Sequence, residues 1–124
     1  DSNNVAVKAA IDNLRSAGIA TVVSSGNNSY LNATTRPACV TPAIAVGATT
    51  DADSVAYFSN IASFVDLLAP GVSINSSVPG GGTAFKQGTS MAAPHVAGAW
   101  AVLKQVWPAA TVDDIEGVLN ARAL

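Results

Sequence analysis

Val7, Ala10, Ile11, Leu14 and Ala17 follow one another at i, i+3, i+4, i+7 and i+10. That spacing puts them on one face of a helical turn. It predicts an amphipathic helix over residues 4–17, with Lys8, Asp12 and Arg15 off the stripe and Gly18 closing it. The next run, Ile19-Ala20-Thr21-Val22-Val23, is apolar without alternation and rich in β-branched side chains. Continuity of this kind marks a strand covered on both faces, as in parallel sheets. It gives way to Ser24-Ser25-Gly26-Asn27, at the carboxyl edge where open α/β sheets bind ligands. Residues 28–37 are polar and read as a loop.

Residues 42–49 predict a second strand, Asp51-Ala52-Asp53 a turn, and residues 65–69 a short third strand stopped by Pro70-Gly71. Residues 55–64 show no clear period; Tyr57, Phe58 and Phe64 are expected to pack on the sheet. Residues 72–78 and 83–86 predict a hairpin about Pro79-Gly80-Gly81-Gly82. Thr89 is a good N-cap for a helix that stays apolar almost to Trp107, broken by His95, Lys104 and Gln105. A helix apolar nearly all round belongs at the centre of a large core. Pro94 lacks an N–H and crowds the Ser90 carbonyl, so an irregular first turn is expected there. Thr111-Val112-Asp113-Asp114 is a capping-box variant opening a last helix, with Ile115, Val118, Leu119 and Arg122 inward and Arg122 reaching out to water. The sum is a three-layer α/β sandwich: a parallel sheet of three strands with helices on both faces.

Composition sharpens this picture. The 124 residues are 49% hydrophobic and 11% charged, well under the usual quarter or so of charged residues, so much of this surface is expected to be covered. A net charge of -2 without a basic cluster gives no reason to expect nucleic acid or an anionic membrane as partner. No apolar run reaches membrane-spanning length, and no signal peptide is visible. Asp1-Ser2-Asn3-Asn4 reads as a cut inside a larger protein. Cys39 is the one cysteine, so there is no internal disulfide framework and no thiolate metal quartet.

The chemistry concentrates in Gly88-Thr89-Ser90-Met91-Ala92-Ala93-Pro94-His95-Val96-Ala97-Gly98. A serine in a first helical turn faces free N–H groups and the positive end of the helix dipole, which suits a reaction that develops negative charge nearby. Alone, such a serine reads as a helix cap. The long gapless run resembles the nucleophile motif of the subtilisin-like serine proteases, G-T-S-M-A-x-P-H-V-A-G, and the resemblance reverses that weighting. Val22-Val23-Ser24-Ser25-Gly26-Asn27 is similar to the family's strand ending in G-N, whose Asn carboxamide donates to the oxyanion. The resemblance covers almost the whole chain and implies the C-terminal portion of a subtilisin-like catalytic domain, a partial form of that fold.

It further implies Ser90 as nucleophile and Asn27 with the Ser90 N–H as oxyanion donors. Ser24, Ser25 and Gly26 would wall the pocket for the substrate side chain before the cut bond, with Thr89 holding the region. The implied partner is a polypeptide substrate, and the implied location is extracellular. His95 stands five residues after Ser90, about 500° around the helix, and so points away from it; a structural, hydrogen-bonded role is expected. The family's Asp in D-[ST]-G, its His in H-G-T-H and its substrate-binding S-[LF]-G strand have no counterpart here. Asp12, Asp51, Asp53 and Asp66 do not replace them, since a triad also needs a base. The isolated chain is therefore expected to be inactive without the N-terminal half of the domain, and to self-associate through the sheet edge that half would cover. No cofactor is implied beyond a weak cation site near Asp66 with carbonyls around Ala38 and Val40, as in some relatives. A non-catalytic binding or assembly module on the same scaffold is the alternative. Nucleotide binding is disfavoured, because the Gly80-Gly81-Gly82 run does not join a strand to a helix with phosphate-loop spacing.

Overall fold

A computed structural model describes residues 4–122; the expectations for residues 1–3 and for the Arg122 side chain fall outside the described residues. The chain forms α1 (Val5–Ser16), β1 (Val22–Ser24), β2 (Ile44–Thr49), β3 (Leu67–Pro70), β4 (Ile74–Ser77), β5 (Thr83–Lys86), α2 (Thr89–Val106) and α3 (Val112–Arg122). Strands β1, β2 and β3 pair in parallel in that order, with Val22 opposite Ile44 and Val46 opposite Leu67. β4 and β5 form the expected antiparallel hairpin, Ile74 opposite Lys86.

Alternate residues of the sheet face opposite layers. Val22, Ile44, Val46, Ala48, Leu67 and Ala69 pack with Ala92, Val96 and Trp100 of α2 and with Val112 and Ile115 of α3. On the other side Val23 and Ala43 meet Val40 and Ile11 of α1. Every residue of β2 is buried, as its unbroken apolar run requires of a central strand. The three-layer α/β arrangement is the one expected.

Several details differ from the expectation. β1 is shorter and later than residues 19–23, because ladder pairing begins only where its neighbour offers Ile44. β3 runs through Pro70, opposite Thr49; a proline costs no ladder bond at the end of an edge strand. Only Ile11 of the α1 stripe is buried; Val7 and Leu14 stay exposed because no layer lies beyond them. Phe58 is buried, but Tyr57 and Phe64 face solvent, as does Val118 of α3. Gly88, not Thr89, occupies the N-cap of α2, and α2 continues through Pro94 as one uninterrupted α-helix. The capping box of α3 forms as read: the Thr111 N–H donates to Asp114 Oδ2 at 2.8 Å and the Asp114 N–H to Thr111 Oγ1 at 3.1 Å. Arg15 ties α1 to α3 through Asp113 and Glu116 and donates to the Pro42 carbonyl at 3.3 Å.

Apolar surface remains open along α2, where Val102 is 61% and Val106 80% exposed, and beside the free edge of β1, where Ile19 is exposed. Among the described residues no helix is long and apolar enough to cross a membrane.

Candidate active site

The carboxyl ends of the parallel strands and the N-terminus of α2 meet at one place. β1 ends at Ser24 and feeds the loop Ser25-Gly26-Asn27. The chain leaving β3 binds back to the sheet through the Gly71 N–H and the Thr49 carbonyl, 3.0 Å, and then holds the α2 entry through the Gly88 N–H and the Gly71 carbonyl, 2.8 Å. Gly88 has φ +143°, in the region that favours glycine, and a Cβ there would lie 3.3 Å from Asn27 Nδ2. A bare backbone therefore lets the β1 loop approach the helix start.

The contact between them is specific. Asn27 Oδ1 accepts from the Thr89 N–H and from the Thr89 hydroxyl, both at 2.9 Å. The same hydroxyl accepts from the Gly26 N–H at 3.2 Å. Asn27 thus satisfies an open donor of the first turn of α2 from across the chain, as an N-cap side chain would. Because its oxygen is engaged twice, the amide orientation is fixed, and its NH2 has no partner among the described residues. Asn27 is exposed, and its oxygen is bonded to the residue that precedes Ser90. Ser90 is exposed in the same turn, between the Thr89 N–H, taken by Asn27, and the Met91 N–H, which donates to the Gly88 carbonyl at 2.9 Å.

The other anticipated residues divide. Ser24 and Gly26 are half-buried at the loop. Ser25 is fully buried, backbone included, and its hydroxyl donates to the Asn60 carbonyl at 2.9 Å, so it presents no surface of its own to a cleft. Thr89 is fully buried, with its N–H and hydroxyl bonded to Asn27 and its hydroxyl also to the Gly26 N–H. His95 is exposed, and its Nδ1–H donates to the Met91 carbonyl at 2.8 Å, since a carbonyl only accepts. That is a local helix contact four residues back, with no bond to Ser90.

Asp66 lines a cavity of about 280 Å³ with Ala38, Cys39 and Val40, but one of its oxygens accepts from the Ala45 N–H at 2.6 Å. Burial raises its pKa against the lowering effect of that bond, with Glu116 adding to the rise. The Val40 carbonyl already accepts from the Ala43 N–H at 2.9 Å. A hard cation wants six to eight oxygens, roughly, so one shared carboxylate does not make its cage. Among the described residues no group of three His, Cys, Asp or Glu side chains comes together.

Sequence reading passed over Asn60, within the unassigned stretch 55–64. It is fully buried beside the site, and its backbone N–H donates to the Gly26 carbonyl at 2.9 Å. Its partners lie some thirty positions away, and no local pattern signals such a contact. Only its polarity amid Phe58 and Ile61 hinted at a role.

The chain is similar to known proteins in both sequence and fold. The sequence pattern of the Subtilase family matches residues 1–123. An extracellular serine proteinase of Thermus sp. (strain Rt41A) is 43% identical over 118 residues, covering 94% of this chain and 29% of the relative. Subtilisin NAT of Bacillus subtilis subsp. natto is 38% identical over 125 residues, covering 98% of this chain and 33% of the relative. The crystal structure of a cold adapted subtilisin-like serine proteinase superimposes with a TM-score of 0.89 at 39% identity, over 95% of this chain and 43% of that one. This chain therefore spans less than half the length of the proteins it matches. With the family pattern running from residue 1 to residue 123, and the serine helix and parallel sheet arranged as in a solved relative, the chain belongs to the subtilase family.

Proposed function

We infer that this chain is the nucleophile-bearing part of a secreted serine endopeptidase. Ser90 Oγ attacks the carbonyl carbon of a peptide bond, the C–N bond breaks, and an acyl-enzyme forms that water then hydrolyses. The oxyanion is held by the Ser90 N–H and the Asn27 carboxamide NH2. The observation that carries this reading is the double engagement of Asn27 Oδ1 by Thr89, the residue next to Ser90, which leaves the Asn27 NH2 without a partner among the described residues. A donor fixed before charge develops needs no reorganisation when it does. Ser24 and Gly26 wall the pocket for the substrate side chain before the cut bond, with the buried Ser25 between them supporting the loop. The proton of Ser90 goes to a base and then to the leaving amine. His95, committed to the Met91 carbonyl, is not that base. The base and its carboxylate partner belong to the segment carrying the family's H-G-T-H and D-[ST]-G motifs, and the chain alone is inactive.

The test has two arms. The 124-residue chain, folded by circular dichroism, is treated with a fluorophosphonate and mapped; no label at Ser90 is expected without the base. In the second arm, the 118 matching residues of the Thermus proteinase are replaced by those of this chain. The chimaera should cleave a peptide anilide and label at Ser90, and Ser90→Ala should abolish both. Asn27→Ala should lower kcat about 100- to 1,000-fold with little change in KM, a range carried over from the equivalent donor in subtilisin. A folded chimaera that neither cleaves nor labels refutes the assignment.

A further inference from the structure

We propose that Asn60 is a positioning residue for the oxyanion donor: one buried side chain grips the loop on both sides of Asn27 and so sets where its carboxamide stands. The proposal rests on the oxyanion reading of Asn27 given above.

Asn27 has no backbone hydrogen bond of its own among the described residues. Its position is set by its neighbours, and those neighbours are bonded to Asn60. The Asn60 Oδ1 accepts from the Asn28 N–H at 2.8 Å and from the Tyr30 N–H at 3.0 Å. Its Nδ2 donates to the Ser25 carbonyl at 3.1 Å and to Asn28 Oδ1 at 3.4 Å. That uses both acceptor sites and both donors of a carboxamide. Every partner of this side chain lies between positions 25 and 30. The Asn60 backbone adds the bond to the Gly26 carbonyl and receives the Ser25 hydroxyl. With 0% of its surface exposed, the amide competes with no water for these bonds. Thr89 then fixes the carboxamide orientation, and Asn60 fixes the backbone from which it projects.

An oxyanion donor acts through distance to a charge that exists only in the transition state, so a looser loop should lower kcat more than substrate affinity. Misplacement of a catalytic group by about 1 Å can cost about 100-fold, which bounds the effect.

The experiment begins with the ¹⁵N-labelled chain. In the wild type the Asn27 carboxamide should give a rigid heteronuclear NOE. In Asn60→Ala that value should fall sharply, while the amides of α1 and α3 keep theirs. Should Asn60→Ala not fold, Asn60→Asp retains an oxygen for the Asn28 and Tyr30 N–H groups and removes the donor to Ser25 once ionised; the Asn27 signal should then loosen as pH rises. A folded variant with an unchanged Asn27 NOE overturns the proposal. In the chimaera, Asn60→Ala should lower kcat roughly 10- to 100-fold with KM nearly unchanged, and should add nothing in the Asn27→Ala background. The same loss in both backgrounds would show Asn60 acting on the fold alone and overturn the proposal. An Asn27→Ala chimaera with full kcat would instead sink the oxyanion reading, leaving the NOE to judge the hold of Asn60 on the loop.

Discussion

Gly26→Ala probes the cage around the Asn27 loop directly. Gly26 has φ +107°, which side chains rarely adopt. A Cβ there would stand 2.4 Å from Asn60 Nδ2, 2.5 Å from Thr35 Oγ1 and 2.8 Å from Thr35 Cγ2. None of these atoms is the end of a loose side chain. The amide is held by Ser25 and Asn28, and Thr35 Oγ1 donates to the Ser25 carbonyl at 3.3 Å. Backbone strain at such a φ costs about 1–3 kcal/mol, and forcing a methyl into a packed cage about 1–3 kcal/mol more. The sum, about 2–6 kcal/mol, is a large part of the total stability of about 5–15 kcal/mol expected for a domain.

Gly81→Ala is the matched control. Gly81 has φ +91° but nothing within 4 Å of a Cβ, so it suffers strain without the clash. Thermal unfolding followed by circular dichroism should give both variants lower midpoints than the wild type. Gly26→Ala should lie about 4–12 °C below Gly81→Ala, taking about 4 °C per kcal/mol for a chain of this length. Coincident midpoints would refute the cage, and with it the claim that Asn60 and Thr35 hold this loop rigidly.

Thr89→Val leaves the Gly26 N–H without its acceptor and Asn27 Oδ1 with one donor fewer, an expected loss of about 1–3 kcal/mol in urea titration that Thr89→Ser should avoid. Asp66 has a folded pKa raised by burial, so its contribution to stability is fully present below its ordinary value of 3.8 and is lost as pH rises through the raised one. Asp66→Asn keeps an oxygen for the Ala45 N–H and should flatten the decline in stability above pH 3.8; an unchanged pH profile in thermal scans would contradict this. The open edge of β1, with exposed Ile19 nearby, and Val102 and Val106 on α2 should drive self-association, read as a dimer mass in light scattering; a monomer at high concentration would count against it.

What the sequence determined by itself was whatever rests on local preference or on a long motif. Residues 42–49 announced a second strand, and the strand that forms there is buried throughout, whereas the continuous run from Ile19, read as covered on both faces, is only half-buried at the sheet edge. Thr111 and Asp114 announced a helix start because both halves of that contact lie within one turn. The eleven residues from Gly88 to Gly98 carry the resemblance to the subtilase family by themselves, and the family pattern matches the chain. Tertiary structure decided what depends on distant partners. The periodicity of Val7, Ile11 and Leu14 fixed a helix but not its cover, since burial needs a second surface, and only Ile11 found one. Thr89 had the chemistry of a cap, yet the fold gave its hydroxyl to Asn27, sixty-two positions away, and left the N-cap to Gly88. Asn60 was invisible because its bonds to residues 25–30 span about thirty positions and follow no period. Local sequence sets which elements form; chain folding brings Asn27, Thr89 and Asn60 within hydrogen-bond reach, because such bonds act only over about 3 Å.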